Sequence, residues 1–582
     1  MHHDRETRSR TRRDTRRDRR VLLPRQHRHV RGREEGKAAA ARTRAKLRDE
    51  TRREKGQRDH VRRCHDRARD RVVAAPADPG RAPRRRGVTI IGLDVGTTGC
   101  KAIAFNPDGA VLARAYREYD IIHTADGGSE QDAEAVYRAT CACLTEITAA
   151  VPAPYAAIAA SVQGDAIIPV DEDFRAIGNT YLGMDMRPAP IAEEIATRHG
   201  SFEMFSQTGM RPHAMNSGVK MVQLARSSPD LSGRAVRIVT YADFITGRLT
   251  GEATIDRTMA SRTMVYDVAA DDWSTVVLKE LGIDRALLSR VVGSGLVVGE
   301  VRPNASRETG IPVGTPVVSG GHDQCCAALG AGVVRPGIGV ASTGTAEVLS
   351  TAFAEPRLDR AMHDAYFPCY RHVLDPLYFT FSLNHVGGIL LKWFRDTIAT
   401  EEKAEAGRSG ADAYDVIFRA APGAPTGMFV LPHFNGSGTP MCDPASRGAI
   451  VGLTLATGRA EIAKAIIESL TFELKLNVET MKSAGIVLDE IRAVGGGARS
   501  AMWLAIKASV LGVPVATLES PDAAALGAAI LAGSAVGVYA SPEDGVAATV
   551  RIGRMIEPGP DSAEYAALYE RYTTLYERLK GL

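Results

Sequence analysis

The chain has 582 residues, enough for two or more domains with separate hydrophobic cores. Its 44% hydrophobic content is ordinary for a globular protein, and no apolar run reaches the roughly 18 residues that span a bilayer, so we expect no membrane partner. The net charge of +4 hides an asymmetry, because about 31 of the 73 basic residues but only about 13 of the 69 acidic residues precede Gly87.

Residues 1–86 form an Arg-rich leader that is almost free of aromatic residues. Such a composition buries too little apolar surface to offset the entropy lost on ordering. The leader lacks the apolar core of a secretory signal, and its many acidic residues argue against a transit peptide. We predict a disordered tail or a stretch outside the functional protein. Binding of a nucleic acid through this basic segment is the alternative.

The eight cysteines show no CxxC pair and no Cys/His spacing of a metal site. Cys325 and Cys326 are adjacent, which is poor geometry for a disulfide, and Cys141 and Cys143 point to different faces of a predicted helix. We therefore expect small buried thiols in a reducing compartment and a cytoplasmic protein.

The ordered body is predicted to begin near Gly87 with three strands. Residues 88–93 are apolar and rich in β-branched side chains, and residues 101–105 and 110–119 have strand-like patterns. The second and third strands are separated by a strong Asn-Pro-Asp-Gly turn signal. Helical and strand patterns then alternate, which indicates the α/β class.

The turn after the first strand has features of a phosphate-binding loop. Glycines such as Gly96 let backbone N–H groups approach an anion, and the hydroxyls of Thr97 and Thr98 add donors. Asp94 can hold Mg²⁺ through water, and Lys101 adds a positive charge nearby. A plain β-turn with a capping aspartate would look similar, and that alternative stays open.

The same design recurs in the second half of the chain. Residues 337–341 and 346–351 have strand patterns, and they flank the turn Ser342-Thr343-Gly344-Thr345. Two such units predict two related domains that face each other, with a linker near residues 335–337. The second turn could grip phosphate from the other wall of a cleft, although an ordinary hairpin turn is an alternative.

Two further segments could carry chemistry. Gly495, Gly496 and Gly497 lie at a predicted strand-to-helix turn, where a flat nucleoside can approach without meeting side chains. Asp323 lies near the junction of a strand at residues 316–318 and a following helix, a common place for a general base. An N-cap aspartate is the alternative reading of Asp323.

The order of these segments resembles the FGGY family of carbohydrate kinases, from about Gly87 to the C-terminus. The sharpest similarity is in residues 448–453 and 461–468, which fit the family's downstream signature. Residues 431–440 resemble its Pro/Gly loop, and residues 495–498 and 525–529 resemble its adenosine-binding end. Residues 459–481 have the spacing of an amphipathic helix that should pack on the second sheet.

The resemblance implies two actin-like (ribonuclease H-like) ATPase domains with a cleft between them. The N-terminal domain, residues 87–336, would bind the sugar and carry the base, and the C-terminal domain, residues 337–582, would bind ATP. It also implies a role for each matching residue: Asp94 for Mg²⁺; Gly96, Thr97, Thr98 and Lys101 around the transferred phosphate; Gly344 and Thr345 at the triphosphate; Gly495, Gly496 and Gly497 at the adenosine; Asp323 as the base; and Asp165, Asp185 and Arg187 in the sugar pocket.

Departures from the family pattern bear on the substrate. The usual tryptophan of the upstream signature is Gln223 here, and a second common tryptophan is Gly183, which should reshape the pocket. Glycerol kinases carry Arg-Glu and xylulose kinases often carry Met-His where this chain has Gly164-Asp165. We expect a kinase for a pentulose such as xylulose. The alternatives are a kinase for another polyol or sugar, namely an alditol, a hexulose or an aldonate, and a non-catalytic actin-like ATP switch. A homodimer is left open.

Overall fold

In the computed structural model of the chain, residues 87–581 are described. The Arg-rich leader predicted for residues 1–86 lies outside the described residues. Strands and helices alternate along the described chain, which confirms the α/β class.

The strands, in chain order, are β1 (Thr89–Val95), β2 (Gly99–Phe105), β3 (Val111–Glu118), β4 (Ile122–His123), β5 (Ser129–Gln131), β6 (Tyr155–Val162), β7 (Ile168–Val170), β8 (Thr180–Tyr181), β9 (Arg237–Val239), β10 (Thr254–Asp256), β11 (Tyr266–Asp267), β12 (Asp272–Trp273), β13 (Arg290–Val292), β14 (Val297–Glu300), β15 (Pro316–His322), β16 (Ile338–Thr343), β17 (Glu347–Phe353), β18 (Tyr370–Arg371), β19 (Tyr378–Asn384), β20 (Phe429–Leu431), β21 (Ala449–Val451), β22 (Glu490–Gly495), β23 (Val515–Leu518) and β24 (Ile552–Ile556).

The α-helices, in chain order, are α1 (Ala133–Ala150), α2 (Ala189–His199), α3 (Ser201–Thr208), α4 (Ser217–Ser227), α5 (Pro229–Arg234), α6 (Tyr241–Thr250), α7 (Arg257–Arg262), α8 (Thr275–Leu281), α9 (Pro303–Thr309), α10 (Asp323–Gly330), α11 (Arg360–Asp364), α12 (Gly388–Thr397), α13 (Thr400–Ser409), α14 (Ala413–Phe418), α15 (Arg459–Ser483), α16 (Ala501–Leu511), α17 (Ala523–Ala535), α18 (Pro542–Thr549), α19 (Ser562–Tyr572) and α20 (Leu575–Leu579).

The first lobe is built on a six-stranded sheet in the order β14-β15-β6-β1-β2-β3. The pairs β3–β2 and β2–β1 are antiparallel, β1–β6 and β6–β15 are parallel, and β14 closes the edge antiparallel to β15. The three-strand meander predicted after Gly87 is therefore confirmed. Strand β1, which lies in the middle of the six-stranded sheet, is almost fully buried, as its run of β-branched residues predicts.

The second lobe repeats this arrangement. Its seven-stranded sheet has the order β18-β19-β17-β16-β22-β23-β24. From β19 to β24 the pairings run antiparallel, antiparallel, parallel, parallel and antiparallel, which is the order found from β3 to β14. The two strand–turn–strand units recognised in the sequence therefore occupy matching positions in the strand orders of the two sheets.

Three strands run further than the sequence pattern indicated. Strand β1 includes Asp94, β15 continues to His322, and β16 continues to Thr343. The predicted turns shrink accordingly to residues 96–98 and 344–346. The glycine-rich ends stay extended because neighbouring strands pair with them on both sides; Asp94, for example, is opposite both Lys101 and Ser161.

The two lobes meet where helices α10 and α17 cross with their backbones unusually close. A Cβ atom on Gly330 would lie 1.9 Å from the Ala523 carbonyl oxygen, and one on Gly527 would lie 1.9 Å from the Cys326 carbonyl oxygen. Helix α17 also packs on the first sheet. Glycine is the residue that permits such an approach, so these positions fix how α17 joins the lobes.

Helix α15 buries Ile466, Ile467 and Leu470 on the face that the sequence spacing predicted. It packs against α16 and against strands β17 and β19 of the second sheet. Seven cysteines are described; all are free, and six of them are buried. No described helix combines the length and the apolar character that crossing a membrane requires.

Candidate active site

A cavity of about 240 Å³ lies between the two lobes. The first lobe contributes residues from the β1–β2 turn, from the loop after β6 and from the end of β15, and the second lobe contributes residues from β17 and β19. The volume is below the roughly 300–1,000 Å³ of drug-sized pockets, so the cavity suits a small molecule. Its lining comprises Thr97, Gln163, Gly164, Asp165, Gly183, Met184, Met215, Arg262, His322, Asp323, Gln324, Val348, Phe381 and Leu383.

Asp323 is the first residue of α10 and faces the cavity directly after β15. His322 occupies the N-cap position of this helix, and its side chain makes no capping hydrogen bond. The alternative in which Asp323 is the N-cap residue is therefore wrong. Its Oδ1 accepts a hydrogen bond from the Gln324 N–H at 2.7 Å and lies 3.2 Å from His322 Nε2. A third of the side chain, 33%, is exposed, which leaves the carboxyl accessible from the cavity.

Burial between the lobes and, to a smaller extent, the nearby Asp94 carboxyl raise the pKa of Asp323 to about 7. A carboxyl group with this pKa changes its protonation state near neutral pH. That property suits a general base, which must be deprotonated to accept a proton and basic enough to hold it.

His322 is a buried neighbour that positions Asp323. Burial, followed by the charge of Arg262, holds the pKa of His322 well below its usual range, so the imidazole is neutral. Its Nδ1 lies 3.3 Å from the Tyr370 hydroxyl, and this network assigns the ring proton to Nε2, on the side of Asp323. Gly164 makes room for the ring, because a Cβ atom there would lie 2.6 Å from Nε2.

The first predicted turn, residues 96–98, is held in place by side chains that donate hydrogen bonds to its backbone carbonyl groups. The Gly96 carbonyl accepts from the Tyr119 hydroxyl at 2.6 Å, and the Thr97 carbonyl accepts from Gln131 Nε2 at 2.9 Å. Within the described chain, the N–H groups of Thr97 and Thr98 donate to no protein group. The turn therefore offers free donors while its acceptors are engaged, which is the polarity an anion needs.

Asp94 lies at the end of β1, close enough to influence the charge of Asp323. Burial raises the pKa of Asp94; Lys101 opposes the shift and Asp522 adds to it. Among the described residues, its carboxylate accepts no side-chain hydrogen bond. Lys101 itself does not line the cavity, because its Nζ is directed toward Asp522, 3.5 Å away.

The second turn and the triple-glycine segment are adjacent. Thr343 at the end of β16 pairs with Gly495 at the end of β22, and a Cβ on Gly497 would lie 2.7 Å from the Thr343 Cβ. Gly344 and Thr345 are exposed at the tip of the turn. The structure thus brings together two segments that the sequence separates by about 150 positions.

Beneath this turn lies a buried ion pair that sequence analysis missed. Lys507 Nζ donates to Glu347 Oε1 at 2.6 Å and to Thr343 Oγ1 at 2.7 Å, and the Thr343 hydroxyl donates to Glu347 Oε1 at 2.8 Å. The side chains of Lys507 and Glu347 are 1% and 0% exposed. No local signal marks the pair, because 160 positions separate its members.

Arg262 is a second residue that sequence analysis missed. Its Nη2 donates to Asp165 Oδ2 at 2.7 Å, and both side chains are buried in the wall of the cavity. Asp165 adopts φ of 65°, which is uncommon for a residue other than glycine and is often found at functional sites. Arg262 ends helix α7 in a segment with no recognisable motif, so only the fold reveals this pair.

Asp185 and Arg187 are neighbours of the cavity but are not among its lining residues. Asp185 is fully buried and pairs with Arg187, which also reaches Glu130 at 2.7 Å and Asp126 at 3.1 Å. The loop residues just before them, Gly183 and Met184, do face the cavity. The pair is therefore placed to hold that loop, and direct contact with a sugar stays a prediction.

The comparison with known proteins agrees with this architecture. The model of the FGGY family of carbohydrate kinases, N-terminal domain, matches residues 89–330, and that of the C-terminal domain matches residues 339–536. The paired actin-like sheets with a cavity between them thus define an ATP-dependent carbohydrate kinase. The chain belongs to the FGGY family of carbohydrate kinases.

Its relatives include kinases with different substrates. Xylulose kinase from Bacillus subtilis is 27% identical over 497 residues, 85% of this chain and 97% of the relative. Autoinducer-2 kinase from Salmonella paratyphi B is 27% identical over 510 residues, 85% of this chain and 95% of the relative. The protein is therefore an enzyme that phosphorylates a carbohydrate with ATP as co-substrate, and these relatives alone do not fix the carbohydrate.

Solved structures give the same picture. Xylulose kinase from Rhodospirillum rubrum has a TM-score of 0.78 at 27% identity and covers 84% of this chain and 99% of its own. Gluconate kinase from Lactobacillus acidophilus has a TM-score of 0.78 at 23% identity, covering 85% of this chain and 98% of its own, a similarity that shows the fold alone.

Proposed function

We propose that the protein transfers the γ-phosphoryl group of ATP to a hydroxyl of a small sugar, with a pentulose such as xylulose as the first candidate. The observation that carries the proposal is the shared cavity: Asp323, Thr97 and Val348 line one small space between the lobes. Thr97 belongs to the turn of the first lobe, and Val348 lies just beyond the turn of the second.

In this mechanism Asp323 accepts the proton of the attacking hydroxyl as that oxygen bonds to the γ-phosphorus. The bond between the phosphorus and the bridging oxygen of ADP breaks in line with the attack, and ADP leaves. His322 holds the Asp323 carboxyl toward the cavity. The free N–H groups of Thr97 and Thr98 stabilise the charge on the transferred phosphoryl oxygens.

The second lobe would hold the nucleotide. Gly344 and Thr345 form an exposed tip that can meet the triphosphate, and the segment from Gly495 to Gly497 offers a surface without side chains for the adenosine. We also propose domain limits of 87–336 and 337–582 for these two functions.

Asp94 fits the prediction of a Mg²⁺ ligand. Its carboxylate is half-buried, accepts no side-chain hydrogen bond in the described chain and lies beside the free N–H groups of the first turn. Proteins usually hold Mg²⁺ through one or two carboxylates together with water and substrate phosphates. When bound there, the ion would neutralise charge on the ATP phosphates. Lys101 would add positive charge only after leaving Asp522, which suggests that its contribution depends on closure of the lobes.

The test is an ADP-release assay on the full chain with ketopentoses, ketohexoses, alditols and aldonates, each in the presence of Mg²⁺ and ATP. We expect one class to stimulate ADP release far above the rate without sugar. Xylulose is favoured because xylulose kinases are among the relatives found by both sequence and structure. ATP binding without stimulation by a pentulose would contradict the proposed substrate. A cytoplasmic location rests on the free buried thiols and is checked by fractionation of cells.

A further inference from the structure

The buried pair of Asp165 and Arg262 leaves one hydrogen-bonding atom of each residue unused. Asp165 Oδ2 accepts from Arg262 Nη2 at 2.7 Å, but Asp165 Oδ1 and Arg262 Nε are buried without a partner among the described residues. A purely structural ion pair normally has all its buried polar atoms satisfied, because each unsatisfied atom costs about 1–3 kcal/mol. Here the two unused atoms have almost no exposed surface but belong to residues that line the cavity, which makes a bound ligand their candidate partner.

The pair is also rigid. The Arg262 guanidinium packs against both the Tyr370 and Phe381 rings, 5.2 Å from each centroid. The backbone of Asp165 is held from behind by Lys220, whose Nζ donates to the Asp165 carbonyl at 3.2 Å. An unused acceptor and an unused donor thus belong to two residues that are held together by an ion pair. Adjacent hydroxyl groups of a sugar, each able to donate and accept, are complementary to that arrangement.

The charges around the cavity exclude one class of substrate. Asp165 and Arg262 neutralise each other across their 2.7 Å contact. Lys220 is 0% exposed, is not among the lining residues and donates to backbone carbonyls. The remaining ionisable lining residues are Asp323, which is acidic, and neutral His322. The carboxylate of an aldonate would therefore find no uncommitted cation here and would face an acidic group instead.

We propose that Asp165 and Arg262 are the specificity pair of the site and that they select a neutral sugar with adjacent hydroxyls while rejecting aldonates. This inference rests on the proposed kinase function and narrows its substrate class to ketoses and alditols. Arg262 acts through its Nε on one hydroxyl and, through Nη2, holds the Asp165 carboxylate so that its Oδ1 is left for the other.

The test compares substrates that differ in charge but have similar size. Wild-type enzyme is assayed with xylulose, ribulose and xylitol as neutral substrates and with xylonate and gluconate as acids. We expect kcat/KM for the best neutral substrate to exceed that for either acid by at least about 100-fold, since a buried site that cannot pair a polar group discriminates strongly against it. Asp165→Asn removes the counter-charge of Arg262 and should raise the ratio of acid to neutral kcat/KM by about tenfold or more.

Matched variants separate specificity from stability. Arg262→Gln should lower kcat/KM for neutral substrates without improving the acids, because it leaves Asp165 unpaired. The control is Glu134→Gln, which breaks another partly buried pair of the first lobe, Glu134 with Arg248 at 2.6 Å, outside the cavity lining. We expect this control to leave the ratio unchanged.

The outcomes are distinct. An unchanged ratio in active Asp165→Asn, or an acid preferred by the wild type, would overturn the specificity pair while leaving the kinase function intact. Turnover of none of these compounds would overturn the proposed function and this inference together. If Asp165→Asn does not fold, thermal protection of the wild type decides: xylulose protecting at a lower concentration than xylonate supports the pair, and the reverse order contradicts it.

Discussion

Thr343 and Gly495 are paired at the ends of the parallel strands β16 and β22, and a Cβ atom on Gly495 would lie 2.6 Å from the Thr343 carbonyl oxygen. This contact joins the two segments proposed to hold ATP. The Thr343 side chain is in turn fixed by the buried pair of Lys507 and Glu347. The geometry of the nucleotide site therefore depends on a network that does not itself face the cleft.

We predict that Lys507→Met raises the KM for ATP about tenfold, equivalent to about 1.4 kcal/mol, and leaves the KM for the sugar nearly unchanged. The reason is that Glu347 would keep a buried charge without a partner and would pull Thr343 out of place. Removing one member of a buried ion pair costs about 3–5 kcal/mol, so thermal stability should fall as well. Steady-state kinetics with each substrate varied in turn and a thermal melt check this.

The double variant Lys507→Met with Glu347→Gln is the matched control for that prediction. It removes both charges, so we expect it to recover stability and ATP affinity relative to the single variant. A single variant with normal ATP affinity would show that the pair does not position the turn.

A second prediction concerns Asp323, which lines the cavity between the lobes. Asp323→Asn should lower kcat by about 10²–10⁴-fold, the usual contribution of a general base, and leave ATP binding intact. Asp230→Asn on the exposed helix α5 changes the same functional group at a remote position and serves as the control. Near-normal turnover of Asp323→Asn would remove this residue from the mechanism.

The same carboxyl group predicts a pH dependence of activity. Because burial raises the pKa of Asp323 to about 7, kcat/KM for the sugar should rise with pH and level off above about 7, as the base becomes deprotonated. The profile is measured with saturating ATP, in buffers of constant ionic strength. A profile that is flat across neutral pH would contradict the assignment of the base.

The raised pKa of Asp323 also makes the stability of the folded protein depend on pH. In the folded protein the protonated form of Asp323 is favoured, so its contribution is fully present below its ordinary value of 3.8 and is lost as pH rises through about 7. At alkaline pH, Asp323→Asn should therefore melt at a higher temperature than the wild type. Because the side chain is partly exposed, the gain in the free energy of unfolding should be only about 1–2 kcal/mol. The loss of activity and the gain in stability of Asp323→Asn would then both result from removing the same buried carboxyl group.

Sequence patterns predicted the repeated α/β architecture and several of the residues that meet in the cavity. Thr97, Asp165 and Asp323 all line it, and short motifs mark each of them at a strand end. The patterns failed for Arg262 and Lys507, whose partners lie 97 and 160 positions away. A buried ion pair leaves no local periodicity, because its cost and its compensation come from two segments that only the fold brings together.

Segment ends were also misjudged, for a related reason. Glycine and threonine near Asp94 and Thr343 suggested longer turns, but β1 and β16 continue through those residues. Pairing with strands on both sides overrides the weak local preference of glycine for turns. The consequence is functional, since Asp94 is held on a rigid strand instead of on a mobile loop.

The last prediction concerns the crossing of helices α10 and α17. A Cβ atom on Gly527 would lie 1.9 Å from the Cys326 carbonyl oxygen, a backbone atom that cannot move aside. We expect Gly527→Ala to destabilise the protein by about 1–3 kcal/mol, the usual cost of overpacking, and to lower kcat because the lobes can no longer take up their relative position. Thermal melts and steady-state kinetics on the full chain measure both effects.

Gly407→Ala in helix α13 provides the matched control, since a Cβ atom there would meet nothing within 4 Å. Alanine should stabilise that helix by about 0.5–1 kcal/mol, because it loses less conformational freedom than glycine on folding. If the same substitution destabilises the protein at position 527 and stabilises it at position 407, then close backbone contact, and not helix propensity, governs the effect at position 527. If Gly527→Ala is as stable and active as the wild type, α10 and α17 must be able to separate without affecting the cleft.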